Sequence, residues 1–380
     1  MRVLILGGSG VFGSRLARIL DRDARFDIVI AGRDRRRAES AVAALGGPAR
    51  KSIEIFSLDE IAAALARLRP GLVVHCAGPF QGQDYRVAEA AIAARIPYVD
   101  LADGRAFAEG FSALDGAAKK AGVSALTACS TTSALSTAAA KRLAADLSRI
   151  DGVRVGVTPG NRAPRGRAVI EAILGYAGAP IPVWRDGAPA TVTGWGKLEM
   201  VRLPGLGRRL FSPCDAPDLP AMRLLFPSAK RIDFLAGLEL SVLHIPLFAL
   251  AMLRRWRILP NLAAAAPLFQ AIAQWLEPFG TDKGGMFVEL CGRNLAGAPA
   301  RRRWSLYAGS GDGPFIPAMA AAIIAKRIAS GAAPAPGARM TAGEITLDDF
   351  AREFAAFDIT TEMEASDDAD ALSRSLWRAV

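Results

Sequence analysis

The sequence predicts an α/β protein: a doubly wound parallel sheet, followed by a second α+β domain with a mixed or antiparallel sheet. Three observations predict this. Short apolar runs alternate with amphipathic stretches through the first 128 residues, as strands joined by crossover helices do. The first run, Val3 to Leu6, leads straight into a glycine-rich turn. From Asp151 onward the pattern changes to longer alternating stretches separated by Pro and Gly.

The glycine turn reads Gly7-Gly8-Ser9-Gly10-Val11-Phe12-Gly13, and an amphipathic segment follows it through Leu20. A second apolar run, Ile28 to Ala31, closes the unit at Gly32-Arg33. Strand, glycine turn, helix and strand in this order are the context in which G-x-G-x-x-G binds a dinucleotide, as in a Rossmann-type sheet. On this reading Gly8 permits the tight turn, Gly10 the approach of a pyrophosphate, and Gly13 the packing of helix on strand. The free N–H groups at the helix start then face the phosphates.

Position 33 bears on which dinucleotide. An acidic residue about 20 positions after the glycines usually accepts from the adenosine ribose hydroxyls. Here the second strand ends in Gly32-Arg33-Asp34-Arg35-Arg36-Arg37. A guanidinium offers charge and a bidentate fork to a 2′-phosphate, which favours NADP over NAD. Asp34 could still serve a ribose, and Arg35 to Arg37 read equally well as the solvated first turn of the next helix.

The remaining elements of this region follow in order. A helix over Arg35 to Leu45 stops at Gly46-Gly47-Pro48. Ile53 to Phe56 is a third strand, with Ser57 and Leu58 at its end expected near the adenine; Leu58 to Leu68 is helical by period. Leu72 to Cys76 is a fourth strand, and its exit, Ala77-Gly78-Pro79-Phe80, is expected to border the nicotinamide because ligands sit at carboxyl ends of strands. Helix Asp84 to Ala94, strand Tyr98 to Leu101, helix Phe107 to Ala121 and strand Val123 to Ala128 complete the set.

Composition narrows the function classes. The chain has 380 residues, 51% hydrophobic and 22% charged, with a formal net charge of +10. That length favours two domains. The excess basic charge is arginine interspersed with acidic residues, without a nucleic-acid reader motif, so no nucleic-acid partner is expected. Cys76, Cys129, Cys214 and Cys291 lie more than 50 residues apart and His75 and His244 are the only histidines; neither a metal site nor a disulfide framework is implied. Met1 runs directly into the first strand, so a cytoplasmic protein with reduced thiols is expected.

With these residues in view, the chain resembles the saccharopine dehydrogenase-like oxidoreductases, specifically their NADP-binding domain family. The resemblance is carried by Gly7 to Gly13, His75-Cys-Ala-Gly-Pro-Phe80 and Pro97-Tyr-Val-Asp-Leu101, with support from Gly313-Pro-Phe-Ile-Pro317 and Leu347-Asp-Asp-Phe350. It implies a nicotinamide-dependent redox enzyme, often acting on an amino-acid-derived imine or secondary amine, whose last helices return to the Rossmann domain. Together with the six strands read within 128 residues, this gives expected domains at residues 1–128, 129–312 and 313–380. Many relatives follow the sixth strand with Asp-Ser-Xaa-Pro-Ser, whereas this chain reads Cys129-Ser130-Thr131-Thr132-Ser133-Ala134. The departure counts against substrates of the saccharopine type. Ser130 and its neighbours could bind a carboxylate or the nicotinamide amide, or cap the helix Leu135 to Leu147.

In the second domain, Val153 to Val157 reads as a strand. Arg162, Arg165 and Arg167 lie on a loop entering the helix Ala168 to Ala177 and form a candidate anion clamp for substrate or cofactor phosphate. Residues 188 to 203 alternate like strands around Trp195, Lys230 to His244 like a strand, and Met286 to Gly292 with Arg302 to Tyr307 like a hairpin. The carboxylate-rich tail from Glu344 is expected to form an exposed, partly frayed end. Val242 to Leu253 is almost wholly apolar but too short to span a bilayer. It reads as a core or dimer-interface helix, or as an interfacial membrane helix with Arg254-Arg255-Trp256-Arg257 as anchor.

The expected function is hydride transfer between NADP, or NAD, and a C=N, C=O or C=C bond of a small substrate, in a homodimer. Tyr98, Asp100 and Asp103, at or just past a strand's carboxyl end, are the candidates for proton donor. Two alternatives stand beside it: an enoyl reductase acting on a lipid-like substrate, and a non-catalytic cofactor-binding or membrane-associated protein.

Overall fold

The computed structural model describes residues 1–164, 167–259, 262 and 266–367. The chain forms two compact units, residues 1–135 with 314–345, and residues 136–313 with the segment from Thr346 onward.

The first unit alternates strand and helix: β1 (Arg2–Leu6), α1 (Val11–Leu20), β2 (Asp27–Gly32), α2 (Arg35–Ala43), β3 (Arg50–Ile55), α3 (Ile61–Leu68), β4 (Leu72–His75), α4 (Arg86–Ala93), β5 (Tyr98–Asp100), α5 (Arg105–Gly110), α6 (Asp115–Ala121) and β6 (Ser124–Thr127). Val3, Leu4 and Ile5 have no exposed surface, as expected of a parallel strand covered on both faces.

The second unit begins in α7 (Ala134–Leu143) and continues with β7 (Leu147–Thr158), α8 (Arg167–Tyr176), β8 (Pro180–Arg185), β9 (Ala188–Thr193), β10 (Glu199–Leu203) and β11 (Gly207–Pro213). It proceeds through α9 (Asp218–Leu225), β12 (Arg231–Gly237), α10 (Ser241–Arg255), α11 (Ala266–Trp275), β13 (Gly284–Asn294) and β14 (Pro299–Ala308). The chain then returns to the first unit with α12 (Ile316–Ala329) and β15 (Gly337–Met340), and ends in the second with α13 (Leu347–Phe354) and β16 (Ile359–Ser366).

Seven parallel strands make the first sheet, in the order β15-β6-β5-β4-β1-β2-β3. The six strands read from the sequence are all present. The seventh, β15, is not legible locally: Gly-Ala-Arg-Met is too short and too polar to announce a strand. It exists because Gly337 to Met340 pair in parallel with Ser124 to Thr127. Helix α12 packs on α1, and its alanines bury almost completely, Ala320, Ala321 and Ala322 at 0% exposure; small side chains permit that close approach.

The second sheet is nine-stranded and mixed. β12 runs parallel to β7, while the β7–β13, β13–β14 and β14–β16 pairs are antiparallel. The hairpin read at 286–307 is β13 and β14. One expectation is corrected: the strand expected over Lys230 to His244 ends at Gly237, and His244 lies in α10. The tail is exposed over residues 360–365, and Ile359–Ser366 nevertheless pairs antiparallel with β14. Six consecutive exposed residues leave no apolar alternation to announce that strand.

Several buried charges of this unit are paired. Arg154, 2% exposed, contacts Glu199 and lies 3.9 Å from Glu289, which Arg301 also contacts at 2.5 Å.

Candidate cofactor site at the carboxyl edge of the parallel sheet

Because β1 to β6 run parallel, the segments leaving their carboxyl ends lie along one edge. The order places β1 between β2 and β4, so successive connections leave β1 in opposite directions and open a crevice there.

The glycine turn lies after β1. Gly7, with φ of 72°, carries the left-handed backbone, so the tight turn belongs to Gly7 rather than to Gly8. Its N–H donates to Ala31 O at 2.9 Å, and Gly10 N–H donates to Gly7 O at 2.9 Å. A Cβ on Gly8 would stand 2.9 Å from Ile30 Cγ2, and one on Gly13 only 2.4 Å from Gly7 O and 2.7 Å from Gly8 Cα. Gly13 therefore lets α1 sit directly on the turn. Gly10 is different: a Cβ there would meet only Gly7 O, at 3.1 Å. Gly10 is also the N-cap of α1, where no side chain caps the helix and no acidic residue occupies the first turn. The N–H groups of Val11, Phe12 and Gly13 start that turn, and helix starts present such groups to anions. Ser9 lies at the tip, its Oγ 4.0 Å from the position of a Cβ on Gly32.

Arg33 follows β2 and is exposed, with no hydrogen bond or ion pair among the described residues. Asp34 is the N-cap of α2 and accepts from Arg37 N–H at 3.1 Å. After β3, Phe56 N–H donates to Gly32 O at 3.2 Å, which brings Ser57 and Leu58 beside the end of β2. Ser57 and Glu60 form a capping box; Leu58 is half-buried and packs on the core.

The Ala77–Phe80 segment is held from three sides. Cys76 N–H donates to Leu6 O at 2.8 Å, tying it to β1. Phe80 is 3% exposed and packs edge-on against His75 and Phe107, with ring centroids 5.0 and 5.3 Å away. The Gln83 amide donates to Ala77 O at 2.9 Å and Pro79 O at 2.5 Å. Ala77 N–H points to His75 Nδ1 at 3.4 Å, which leaves the ring proton on Nε2 for Gln83 Oε1 at 3.2 Å. That contact sets the amide so that its NH2 faces the two carbonyls. Burial pushes the His75 imidazole down to about 4.

Of the three candidate proton donors, Tyr98 and Asp100 are brought together and buried, at 1% and 0% exposure. Tyr98 Oη donates to Asp100 Oδ2 at 3.0 Å. Asp100 Oδ1 accepts from Ala102 N–H, Thr127 Oγ1 and Ala128 N–H at 3.0, 2.9 and 2.9 Å. Burial pushes this carboxyl up to about 6, although all four hydrogen bonds pull it down. Burial likewise pushes the Tyr98 hydroxyl well up. Asp103 is apart from them and exposed, accepting from Gln81 Nε2 at 3.3 Å. The segment after β6 is bent by Ala128 and Ser133, with φ of 53° and 76°. Cys129 N–H donates to Asp100 O at 2.8 Å, and Ser133 Oγ to Thr341 O at 2.7 Å. Ser130, 8% exposed, lies between these anchors.

The arginine loop belongs to the second unit. Arg162 is exposed and donates to the carbonyls of Glu277 and Pro278 at 3.4 and 3.0 Å. Arg165 lies outside the described residues, as does the side chain of Arg167, which opens α8. Sequence reading missed Gln83 and Thr127, because a lone amide or hydroxyl carries no spacing signal. No group of three or more metal-binding side chains occurs among the described residues.

Residues 3–126 match the family model for the saccharopine dehydrogenase NADP binding domain. No curated protein matches the chain. Among solved structures, apo saccharopine dehydrogenase (L-Glu forming) from Saccharomyces cerevisiae is similar over 96% of this chain and 99% of its own, with 14% identity and a TM-score of 0.66. Homospermidine synthase from Legionella pneumophila, solved in complex with NAD, is similar over 100% and 94%, with 9% identity and a TM-score of 0.61. Residues 3–126 are thus similar to the saccharopine dehydrogenase NADP binding domain, in a chain whose fold is saccharopine dehydrogenase-like.

Proposed function

We propose that this chain is an NADP(H)-dependent oxidoreductase that moves hydride to or from a C=N, C=O or C=C bond of a small substrate. The observation that carries the reading is a glycine-capped helix start, Gly10 to Gly13, with no side-chain cap and no acidic residue in its first turn, on the same edge as the exposed guanidinium of Arg33. Hydride transfer is the chemistry a bound nicotinamide supplies, and the protein's part is binding, orientation and proton handling.

In this reading the backbone from Gly8 to Gly13 holds the pyrophosphate, and Arg33 holds the 2′-phosphate. Asp34, Ser57 and Leu58 flank the adenosine. Ala77 to Phe80 and Ser130 flank the nicotinamide end, with the first segment kept rigid by Gln83 and Phe80. Asp103, the exposed member of the three acids, is the group free to exchange a proton with substrate. Tyr98 and Asp100 brace the exits of β5 and β6.

Fluorescence titration of the purified protein with NADPH and NADH tests this. The expected result is tighter NADPH binding, and Arg33→Asp abolishes the preference. Binding of neither nucleotide would overturn the enzyme reading; equal binding of both would overturn the assignment of Arg33.

A further inference from the structure

Large apolar side chains are unevenly exposed over this protein. Among the described residues, eight of the twelve large hydrophobic side chains left exposed fall between positions 242 and 279. On α10 and the turn after it, Val242, Ile245, Trp256 and Ile258 are 50 to 63% exposed. His244, Leu247 and Ala251, on the opposite side of the same helix, are buried at 0 to 3%. Position 242 is related to 245, 249 and 256 by steps of three, four and seven, which align along one helical face. On α11, Leu268, Ile272 and Trp275 repeat the pattern at 39 to 75%, and Phe279 extends it at 72%. Both helices neighbour α8. α11 packs on it, and Arg254 donates to the carbonyls of Gly175 and Ala177 at its end, at 2.8 and 2.7 Å.

Charge selects the occupant. Between Glu239 and Glu277 the sequence has no carboxylate and three arginines, Arg254, Arg255 and Arg257. Glu239 is turned inward onto Arg209 and Thr281, and Glu277 is the carboxylate that follows the stretch in sequence. A second copy docking face to face would bring a second arginine-bearing, carboxylate-poor patch against the first, because a two-fold interface uses the same patch on both subunits. An anionic lipid surface meets both parts: acyl chains and interface for the apolar stripe and tryptophans, headgroups for the guanidinium groups. No helix among the described residues is long and apolar enough to cross a membrane, so the helices would lie in the interface rather than span it.

We infer that the α10–α11 face is a docking surface for anionic membranes. The test is flotation of the full-length protein with vesicles of phosphatidylcholine mixed with phosphatidylglycerol, and with phosphatidylcholine alone, while tryptophan emission is followed. Trp256 and Trp275 are exposed whereas Trp195 and Trp304 are fully buried, so the part of a blue shift on binding that is lost in the Trp256→Ala/Trp275→Ala variant reports the proposed face. Flotation with the anionic vesicles is expected to fall about fivefold in Arg257→Ala, the weight of one interfacial arginine. It should fall by at least about tenfold in the Trp256→Ala/Trp275→Ala variant, through lost apolar burial. Both variants alter exposed side chains, so their melting temperatures serve as the folding control. Absence of flotation, or equal flotation of the tryptophan variant, would overturn the inference. Concentration-dependent self-association, abolished by the same variant and unaccompanied by flotation, would overturn it in favour of an interface between copies.

Discussion

His75 and Asp100 are paired in register across β4 and β5, and burial drives the two in opposite directions: the imidazole down to about 4 and the carboxyl up to about 6. Between those values both groups are neutral in the folded protein. The strand ends that carry the cofactor edge are thus built without a charge pair.

This arrangement has a pH signature. A histidine whose folded pKa is depressed makes stability rise with pH, from about 4 to its ordinary value of 6.5. A carboxyl whose folded pKa is raised makes stability fall with pH, from its ordinary 3.8 to about 6. Each contributes roughly 3 kcal/mol across its window, so the two slopes largely cancel between about pH 4 and 6. Denaturant melts at several pH values should expose the separate slopes. Asp100→Asn leaves stability rising over that window, and His75→Gln leaves it falling. Parallel profiles for the two variants would count against the pairing.

The glycines of the turn should separate by role. Gly13→Ala places a methyl 2.4 Å from Gly7 O, and fixed backbone cannot retreat, so stability should drop by about 1–3 kcal/mol. Gly10→Ala meets only Gly7 O at 3.1 Å and should leave the melting temperature nearly unchanged while weakening nucleotide binding. Thermal melts with NADPH titrations on the same preparations distinguish the two.

Gln83 should act as a positioning residue. Its Nε2 holds Ala77 O and Pro79 O together, so Gln83→Leu removes two hydrogen bonds worth about 1 kcal/mol each. Nucleotide affinity should change little, because the glycine turn is untouched. Turnover should fall several-fold once a substrate is in hand, a kcat effect with KM for nucleotide preserved. Equal loss in both constants would instead mean a general loosening of the fold.

The second unit depends on a buried charge cluster. Arg154 is contacted by Glu199 and lies near Glu289, so Arg154→Met removes the cation these two buried carboxylates share, leaving Glu199 with Lys197 and Glu289 with Arg301. Breaking a buried pair from one side costs about 3–5 kcal/mol when the remaining charge is uncompensated, and the remaining cations hold the loss below that. A chemical melt of the variant should show it.

Most of the first unit is legible before any coordinates, and the reason is physical. A parallel strand is buried on both faces, so Val3 to Leu6, Ile28 to Ala31 and Leu72 to Val74 must be continuous apolar runs. The glycine turn is legible because only residues without Cβ fit where Gly13 meets Gly7 O. Elsewhere the code is not local. β15 is a strand because β6 offers it a free edge, and β16 because β14 does. His244 belongs to a helix although its neighbours alternate like a strand. Gln83 matters only through groups that folding brings to it.

The sequence by itself determined the parallel α/β unit, its glycine turn and the mixed second sheet, because periodicity and steric exclusion are written into neighbouring residues. Only the tertiary structure decided that Tyr98 and Asp100 face each other in a buried cluster while Asp103 remains exposed. It alone decided, too, which side of α10 is covered. Burial is a property of what packs against a residue, and that partner comes from elsewhere in the chain.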